Sequence, residues 1–512
     1  MPFNPAQLCA VQHKDGPMMV LAGPGSGKTT VIVGRLQYLV ETCRVPADKI
    51  LVITFTRAAA REMEERWRKK TEEAAAQGQH ALSRQETVRK PAPVFGTFHS
   101  VFFAILRERR GFSAASFIKP EDQRRALKKI LSDPQIPFLY TDESAELLLA
   151  EISRIKAKGG EACTEGTLGL IYQRYEAVLR GTGLLDFDDM LLLCKRLFLE
   201  DKATLLAEQA RFQYLLIDEF QDINALQYEI VRLLAEPHEN LFIVGDDDQS
   251  IYGFRGSVPR LMLNFPKDYP GAKTVLLDIN YRSGREIVEA SGRLIGKNRE
   301  RFRKQLTAGR REAGRLQLTP CETEKEEYQK LIAEIRKLHQ KGMKLSDMAV
   351  LYRTGAEGRP LKEALGKADI PFSVGRKGKE AVQKLPDVRQ LPNGNQPSEA
   401  KTPKDTAQSA DTRGTATEPP EALVLSTYHG SKGLEFETVF LVDVNEGVTP
   451  HKKASEQQET LEEERRMFYV AVTRAKQILH ILYTKSRYNK AQRPSRFLSE
   501  LMGGRCKERG AV

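Results

Sequence analysis

The sequence predicts an α/β fold with two separate parallel sheets, and two observations support this prediction. Short unbroken apolar runs alternate with helix-like patterns in two stretches of the chain, which is typical of buried parallel strands joined by helices. A glycine-rich turn separates the first run from a helix-like segment, as in the strand–turn–helix units of such sheets. The predicted strands are residues 18–22, 50–54, 212–217, 241–245 and 274–277 in the first stretch, and 315–318, 348–352, 423–426, 438–442 and 478–483 in the second.

Two interruptions in these stretches define the predicted domain organisation. The first shows helical patterns and few apolar runs, which predicts a helical insertion. The second contains no aromatic residue and no isoleucine. Because it cannot bury enough apolar area to offset its ordering entropy, we predict a flexible linker. The predicted organisation is 1–104 and 186–278 for the first sheet domain, 105–185 for its insertion, 279–375 and 422–500 for the second sheet domain, 376–421 for the linker and 501–512 for a basic tail.

Composition and charge narrow the class of protein. The chain has 512 residues, too many for a single core. Its net charge of +12 favours a polyanionic partner, because contacted phosphates release their counterions. No apolar run approaches the ~20 residues that span a bilayer, and the N-terminus shows no signal-peptide pattern. The six cysteines are scattered without a C-x-x-C pair, which argues against a zinc site or a disulfide framework and favours a cytoplasmic location.

The glycine-rich turn after the first strand predicts a nucleotide site. In the order strand, glycine-rich loop, helix, backbone N–H groups and the helix N-terminus face a phosphate. Lys28 would contact the β- and γ-phosphates of ATP, and the hydroxyl of Thr29 would bind Mg²⁺. The predicted nucleotide-binding residues here are Ala22, where the strict pattern has glycine, and Gly23, Pro24, Gly25, Ser26, Gly27, Lys28, Thr29 and Thr30.

Two adjacent carboxylates, Asp218 and Glu219, follow the apolar run at residues 212–217. Open α/β sheets place their ligands at the carboxyl ends of the strands. We therefore predict that Asp218 binds Mg²⁺ and that Glu219 orients and deprotonates the attacking water. Taken alone, an Asp-Glu pair after a strand is more often a turn or a helix start. Together with the loop at Lys28, the pair predicts a P-loop nucleotide hydrolase.

Seven further motifs indicate which kind of hydrolase this is. They are FNPAQ at 3–7, ITFTRAA at 53–59, FGTFHS at 95–100, VGDDDQSIYGFRG at 244–256, NYRS at 280–283, STYHGSKGLEF at 426–436 and EERRMFYVAVTRA at 463–475. In this order they resemble the motifs of the UvrD/Rep-type superfamily 1 DNA helicases. The resemblance covers nearly the whole chain except the predicted linker and the C-terminal end. It implies two RecA-like domains that share one nucleotide at their interface.

The resemblance also implies roles around the nucleotide. Gln7 would read the adenine, Tyr281 would stack on it, and Glu435 would bind the ribose. Two arginines of the second domain, Arg282 and Arg474, would reach the γ-phosphate, so that hydrolysis requires closure of the domains. The predicted catalytic residues are Lys28, Asp218, Glu219, Gln249, Arg282 and Arg474.

On the DNA side, the resemblance implies that Gln249 couples the γ-phosphate to the DNA-contacting part of its motif. Aromatic side chains would stack on the bases, and such stacking is worth about 1–3 kcal/mol per base and tolerates any sequence. For an aromatic residue taken alone, core packing is the commoner role. The predicted DNA-binding residues are Phe55, Arg57, Thr97, Phe98, His99, Tyr252, Phe254, Arg255 and His429.

The function implied is that of an ATP- and Mg²⁺-dependent 3′–5′ DNA helicase in DNA repair, replication or recombination. Its partners would be single-stranded DNA and single-strand/duplex junctions, and it would act as a monomer or a DNA-induced dimer away from membranes. Full-length relatives carry a folded accessory domain between the counterparts of Arg353 and Thr427, where this chain has the predicted linker. A translocase that displaces bound proteins without productive unwinding is therefore an alternative. A nucleotide-dependent scaffold is a third reading, against which the intact catalytic residues argue.

Overall fold

The structure is a computed structural model that describes residues 2–76, 91–136, 141–160, 165–253, 256–375, 421–487 and 489–503. The predicted linker, apart from its last residue, and the predicted tail beyond residue 503 lie outside the described residues. The chain divides into two compact units. The first unit comprises Met1–Glu312, Gln457–Tyr469 and Glu500–Gly503, and the second comprises Ala313–Glu456, Val470–Ser499 and Gly504–Val512.

Six parallel strands form the sheet of the first unit, in the order β3-β2-β4-β5-β1-β6. The five strands predicted in this stretch are present. The sixth, β3, was not predicted because it is a short, half-buried segment interrupted by Gly96. The strands are β1 (Met18–Ala22), β2 (Ile50–Thr54), β3 (Val94–Thr97), β4 (Tyr214–Ile217), β5 (Leu241–Gly245) and β6 (Lys273–Leu277).

Helices surround this sheet. Side chains alternate between its two faces, so Met19 and Leu21 pack on one core while Met18 and Val20 pack on another. The helices are α1 (Pro5–Gln12), α2 (Lys28–Gln37), α3 (Arg57–Ala76), α4 (Phe98–Arg110), α5 (Pro120–Leu131), α6 (Asp142–Ala157), α7 (Gly166–Thr182), α8 (Asp189–Glu200), α9 (Lys202–Arg211), α10 (Ala225–Ala235), α11 (Pro259–Asp268) and α12 (Arg285–Ile295).

The second unit contains another sheet of six parallel strands, in the order β11-β12-β10-β13-β14-β9. The prediction of an α/β fold with two parallel sheets is therefore confirmed. The strands are β9 (Arg315–Cys321), β10 (Met348–Tyr352), β11 (Phe372–Val374), β12 (Leu423–Thr427), β13 (Phe436–Leu441) and β14 (Ala475–Thr484). The helices of this unit are α13 (Glu324–Gln340) and α14 (Gly355–Lys367), while α15 (Gln458–Val472) and α16 (Arg496–Leu501) contain residues of both units.

Residues 279–312 fall within the first compact unit, although the sequence assigns them to the second domain. They contribute the parallel pair β7 (Ile279–Asn280) and β8 (Thr307–Ala308), and no strand of either six-stranded sheet. An antiparallel pair, β15 (Ser486–Arg487) and β16 (Lys490–Ala491), completes the strands of the second unit. Within the described residues, no helix combines the length and the apolar character needed to cross a membrane.

The helical insertion has a hydrophobic core of its own. Helices α5, α6 and α7 contribute Leu127, Ile152 and Tyr175 among other buried side chains to one cluster. The repeat of apolar residues every three to four positions in these helices is the pattern that predicts them. The insertion is thus a small three-helix unit between β3 and β4.

One buried ammonium group links the insertion to α8. The Nζ atom of Lys156 in α6 lies 2.7 Å from a carboxylate oxygen of Glu176, 2.7 Å from one of Asp186 and 2.6 Å from one of Asp189. The three carboxylates are close enough together to resemble a metal site, but the ammonium group lies among them. Burial raises the pKa of Asp189 to about 6, and the charge of Lys156 opposes that rise.

Replacing this ammonium group should destabilise the insertion in a pH-dependent way. Lys156→Met leaves buried carboxylates without their cation, which costs about 3–5 kcal/mol. Their pKa values then rise further, so the folded state takes up protons and the loss should be smaller at pH 5.5 than at pH 7.5. Hydrogen exchange of α5–α7 at both pH values measures this, with exposed Lys158→Met as the control. Equal loss of protection at both pH values would contradict the assignment.

Candidate functional site

The glycine-rich loop connects β1, in the interior of the first sheet, to α2. Gly25 (φ +66°) and Gly27 (φ +87°) have left-handed backbone conformations that residues with a Cβ atom rarely adopt. A Cβ atom on Gly25 would also lie 2.4 Å from the Cβ atom of Arg282. Because α2 begins directly after the loop, its first N–H groups and the positive end of its dipole face the loop. This conformation suits a phosphate group.

The other loop residues occupy the places that the pattern requires. Lys28 is the first residue of α2, and the hydroxyl of Ser26 donates to the carbonyl of Gly23 (2.8 Å). Ala22 ends β1, Pro24 lies in the loop, and Thr29 and Thr30 lie in the first turn of α2.

An ion pair joins the loop to the end of β4. The Nζ atom of Lys28 donates to Oε1 of Glu219 at 2.8 Å, and both side chains are largely buried. Burial alone would lower the pKa of Lys28, but the carboxylates of Glu219, Asp218 and Asp246 outweigh it and raise that pKa. The ammonium group is therefore charged across the physiological range. In this structure it contacts a carboxylate at the place where the loop would hold phosphate.

Oxygen donors suited to a magnesium ion lie beside this pair. Asp218 is buried at the carboxyl end of β4, and its backbone N–H donates to the carbonyl of Ile53 (2.9 Å). Its negative charge acts on Lys28, and the half-buried Thr29 follows that lysine in α2. Carboxylate and hydroxyl oxygens are the ligands that Mg²⁺ prefers, so this donor set fits the ion.

The two residues predicted to contact adenine, Gln7 and Tyr281, are both connected to the glycine-rich loop by hydrogen bonds. The Nε2 atom of Gln7 donates to the carbonyl of Ser26 (3.0 Å), and its Oε1 atom accepts from the backbone N–H of Asn4 (3.1 Å). The Nδ2 atom of Asn4 donates to the hydroxyl of Tyr281 (2.9 Å). The backbone N–H of Tyr281 donates to the carbonyl of Gly25 (2.9 Å). Gln7 and Tyr281 are thus joined through one asparagine, and Tyr281 is bonded directly to the loop.

Gln249 follows the end of β5 and is oriented by an aspartate. Its Nε2 atom donates to Oδ2 of Asp246 at 2.7 Å, and both residues are buried. The Oδ1 atom of the same carboxylate accepts from the Nζ atom of Lys304 at 2.5 Å. A lysine that the sequence analysis did not single out therefore helps to fix the predicted γ-phosphate sensor.

Lys304 also contacts the two acidic residues that follow Asp246. It forms ion pairs with Asp247 and, at 2.9 Å, with Asp248. Arg301 donates to both carboxylate oxygens of Asp248, at 2.7 and 2.6 Å. Burial raises the pKa of Asp247 to about 6, which Lys304 opposes. Burial would likewise raise the pKa of Asp248, but the charges of Lys304 and Arg301 lower it below its ordinary value.

Two of the predicted DNA-contacting aromatic residues stack on each other. The rings of Phe55 and Tyr252 lie 5.0 Å apart with 16° between their planes. The ring of Phe98, in contrast, is buried in the core of the first unit beside Phe102, which is the packing alternative for an aromatic side chain. The hydroxyl of Thr97 accepts from the backbone N–H of Ser100 (3.3 Å) and so caps α4. Phe254 and Arg255 lie outside the described residues.

A second aromatic group surrounds His99. Its ring lies 5.7 Å from the ring of Phe187, which is 58% exposed. Phe187 in turn lies 5.9 Å from Phe117. Burial lowers the pKa of His99, and the charge of Arg57 lowers it further. The imidazole is therefore neutral near pH 7 and lies beside an exposed aromatic ring and an exposed cation.

Three predicted site residues belong to the second unit. The guanidinium of Arg474 is buried and donates to the carbonyl oxygens of Val470 (2.8 Å) and Leu434 (3.1 Å). Glu435 forms an ion pair with Lys476 at 3.2 Å. His429 is half-buried in the turn after β12.

The residues that the sequence analysis missed had weak signals. Three consecutive acidic residues after a buried strand require nearby cations, but the sequence does not show that Arg301 and Lys304, more than fifty positions away, supply them. Phe187 lies within LLDFDDM, between Asp186 and Asp188. Acidic neighbours on both sides are compatible with the solvent exposure of its ring. Gln221 lies in the turn that follows the predicted carboxylate pair, and no sequence pattern distinguishes it from the other residues of that turn.

Comparisons with known proteins cover nearly the whole chain. Residues 3–270 match the family model described as UvrD/REP helicase N-terminal domain. Residues 275–379 and 404–486 match the UvrD-like helicase C-terminal domain. The chain is 31% identical to YjcD of Bacillus subtilis, over 98% of this chain and 81% of that protein. It is 31% identical to the ATP-dependent DNA helicase PcrA of Leuconostoc citreum (98% and 84% covered), and 30% identical to PcrA of Staphylococcus aureus (98% and 86%).

The alignment with YjcD also shows a difference in length. It runs over 632 positions, more than the 512 residues of this chain. The relative therefore contains stretches that have no counterpart here.

Proposed function

The chain belongs to the UvrD/REP helicase family, and from this we propose that it is an ATP-dependent DNA helicase that moves 3′ to 5′ along single-stranded DNA. ATP is hydrolysed at the interface of two RecA-like domains. The observation that carries the proposal is the hydrogen-bonded connection of Lys28, Glu219 and Gln249 within the first unit. Gln249 lies three positions before Tyr252, which stacks on Phe55. The residues that would contact the nucleotide are thus close along the chain to those that would contact DNA.

The hydrolytic step assigns a role to each residue of the first unit. The triphosphate displaces Glu219 from Lys28, which then binds the β- and γ-phosphates. The released carboxylate orients a water molecule and accepts its proton while the water oxygen bonds to the γ-phosphorus and the bond to the leaving oxygen of ADP breaks. Asp218 and Thr29 would hold Mg²⁺, which would neutralise charge on the phosphates.

Two arginines connect hydrolysis to movement in this proposal. A Cβ atom on Gly25 would lie 2.4 Å from the Cβ atom of Arg282, so Arg282 is close to the loop, and its guanidinium would contact the γ-phosphate in this proposal. Arg474 belongs to the second unit and would contact the same phosphate when ATP is bound. Loss of the γ-phosphate removes the shared ligand, which turns chemistry into relative motion of the domains. Gln7, Tyr281 and Glu435 bind the adenosine part.

The DNA-binding surface of the proposal combines aromatic rings with cations. The exposed Phe187 and the half-buried Phe55 would offer ring faces to bases, and the buried Tyr252 supports Phe55 by stacking on it. His99 lies beside Phe187, and the charge of Arg57 acts on His99. Stacking tolerates any sequence, which suits a motor that must not stop at preferred sites. Family resemblance adds four further residues to the proposed DNA-binding surface: Thr97, Phe254, Arg255 and His429. The protein would act in the cytoplasm as a monomer or a DNA-induced dimer, in repair, replication or recombination.

A translocase that displaces proteins without productive unwinding is the second candidate. The observation that favours it is that a relative contains stretches with no counterpart in this chain. The predicted linker occupies the interval in which the family carries its accessory domain.

The phosphate-binding assignment predicts that Lys28→Ala abolishes ATP hydrolysis stimulated by single-stranded DNA. Without the ammonium group the loop loses its only side-chain contact to the β- and γ-phosphates in this proposal. ATPase rates with single-stranded DNA, with RNA and with neither measure the effect, and the exposed Lys14→Ala serves as the control. Persistent DNA-stimulated turnover in Lys28→Ala would mean that the site is misassigned.

The stacking assignment predicts that Phe187→Ala weakens binding of single-stranded DNA about 5- to 150-fold, the equivalent of one lost base stack. Fluorescence anisotropy with a labelled oligonucleotide measures the affinity. Leu199→Ala, which removes a similarly exposed apolar side chain, should leave the affinity unchanged. An equal affinity in both variants would remove Phe187 from the DNA surface.

Unwinding of a 3′-tailed duplex separates the two candidate functions. A DNA stacking step is worth on average about 1.4 kcal/mol, so a translocating motor can open base pairs without an accessory domain. We expect the wild-type chain to unwind the 3′-tailed duplex and not the 5′-tailed one. Translocation on single strands without unwinding of either substrate would favour the second candidate, and unwinding of the 5′-tailed duplex alone would refute the proposed polarity.

A further inference from the structure

A buried amide joins the end of β4 to the end of β5, and its own role in hydrolysis is not assigned above. Gln221 follows Glu219 in the short helical turn after β4, and its side chain is fully buried. Its Nε2 atom donates to Oε2 of Glu219 at 2.5 Å. Its Oε1 atom accepts from the backbone N–H of Asp246 at 2.9 Å. Both ends of one amide are therefore used, one on the predicted base and one on the neighbouring strand end.

The glycine that ends β5 makes room for this amide. A Cβ atom on Gly245 would lie 2.6 Å from the Oε1 atom of Gln221, which is closer than real Cβ atoms approach. The main-chain carbonyl of Gln221 also accepts from the hydroxyl of Ser250 (2.9 Å). The turn after β4 and the turn after β5 are thus held together through one residue.

Beyond Asp246 the connection continues to the predicted γ-phosphate sensor. The carboxylate of Asp246 accepts from Gln249 at 2.7 Å and from the buried Lys304 at 2.5 Å. Since Lys304 also pairs with Asp247 and Asp248, the aspartate has little freedom to move by itself. Glu219 and Gln249 are therefore joined by two residues and a short series of buried hydrogen bonds.

We propose that Gln221 is a positioning residue that holds the carboxylate of Glu219 in place for water activation and makes its position depend on that of Gln249. This inference rests on the proposed function, because it needs Glu219 to act as the base. In this structure Lys28 holds one oxygen of that carboxylate and Gln221 holds the other.

The chemistry of the two donors explains the choice of an amide. When the triphosphate takes Lys28, Gln221 remains as a donor to Glu219. A neutral donor fixes the direction of a carboxylate while stabilising its charged form less than a cation does, so the carboxylate stays basic enough to accept a proton. Because Asp246 bonds to both Gln221 and Gln249, it sets the position of Glu219 relative to that of Gln249.

The test compares Gln221→Leu and Gln221→Glu with the wild type in DNA-stimulated ATP hydrolysis, measured as kcat and KM for ATP from pH 6 to pH 8.5. Gln221→Leu removes the hydrogen bonds to Glu219 and Asp246 and a longer one to Asp222 (3.3 Å). It should lower kcat about 10- to 100-fold, with KM changed less than about threefold because the phosphate contacts remain. Gln209→Leu, which removes a buried glutamine that donates to the carbonyl of Leu233, is the matched control and should keep the wild-type kcat.

The pH profile separates positioning from packing. Gln221→Glu places a second carboxyl group against Glu219, and like charges raise the pKa of such a pair. Near pH 8 both groups are ionised and repel each other, so activity should be low. Near pH 6 the pair retains one proton, which restores a donor to Glu219. The ratio of the variant kcat to the wild-type kcat should therefore be at least about fivefold higher at pH 6 than at pH 8. This recovery would also show that the variant is folded.

A double variant distinguishes failure of this inference from failure of the proposed function. If Glu219→Gln keeps full activity, Glu219 is not the base, and Gln221 cannot then act by positioning the base. If Glu219→Gln is inactive, adding Gln221→Leu should lower the residual rate less than about threefold, because the two residues act as a unit. A wild-type kcat in Gln221→Leu, a flat pH profile in Gln221→Glu, or independent losses in the double variant would each overturn the inference.

Discussion

The ion pair between Lys28 and Glu219, 2.8 Å long, is the interaction on which the rest of the site depends. A largely buried ammonium group needs a compensating anion, because an unpaired one costs about 3–5 kcal/mol. Without nucleotide the carboxylate supplies that charge, and a triphosphate supplies it better. The same exchange that binds ATP therefore releases the base that would activate the attacking water. ATP binding and release of the base then occur together, because Lys28 cannot pair fully with the triphosphate and with Glu219 at the same time.

Other buried cations of the first unit hold the acidic side chains around them in place. Lys304 and Arg301 neutralise the three acidic residues after β5, and Lys156 neutralises three carboxylates where the insertion meets α8. In both places removal of the cation would leave several buried carboxylates facing one another. The strand ends that carry Glu219 and Gln249 thus have one stable arrangement, and a local change at one of them affects the other.

Much of the fold and part of the site could be predicted from the sequence, for reasons that are local. The strands β1 and β5 were predicted with their observed bounds because each is an unbroken apolar run. The loop was predicted because its three glycines stand at every second position of one short segment. Lys304, Gln221 and Phe187 could not be predicted, because their roles depend on which distant segments meet. Phe98 illustrates the converse, since a motif position alone does not reveal that its ring is buried in the core. The predicted domain boundaries and the roles of Arg282, Arg474 and the DNA-contacting residues remain predictions.

The most direct test of the central claim is a crystal structure of the chain with Mg²⁺ and a non-hydrolysable ATP analogue. We expect the Nζ atom of Lys28 to move to the β- and γ-phosphates, so that its distance to Oε1 of Glu219 rises well above 2.8 Å. The carboxylate should then hold a water molecule in line with the γ-phosphorus. A bound analogue with the Lys28–Glu219 pair still intact would contradict the account, because the base would then be unavailable whenever its substrate is bound.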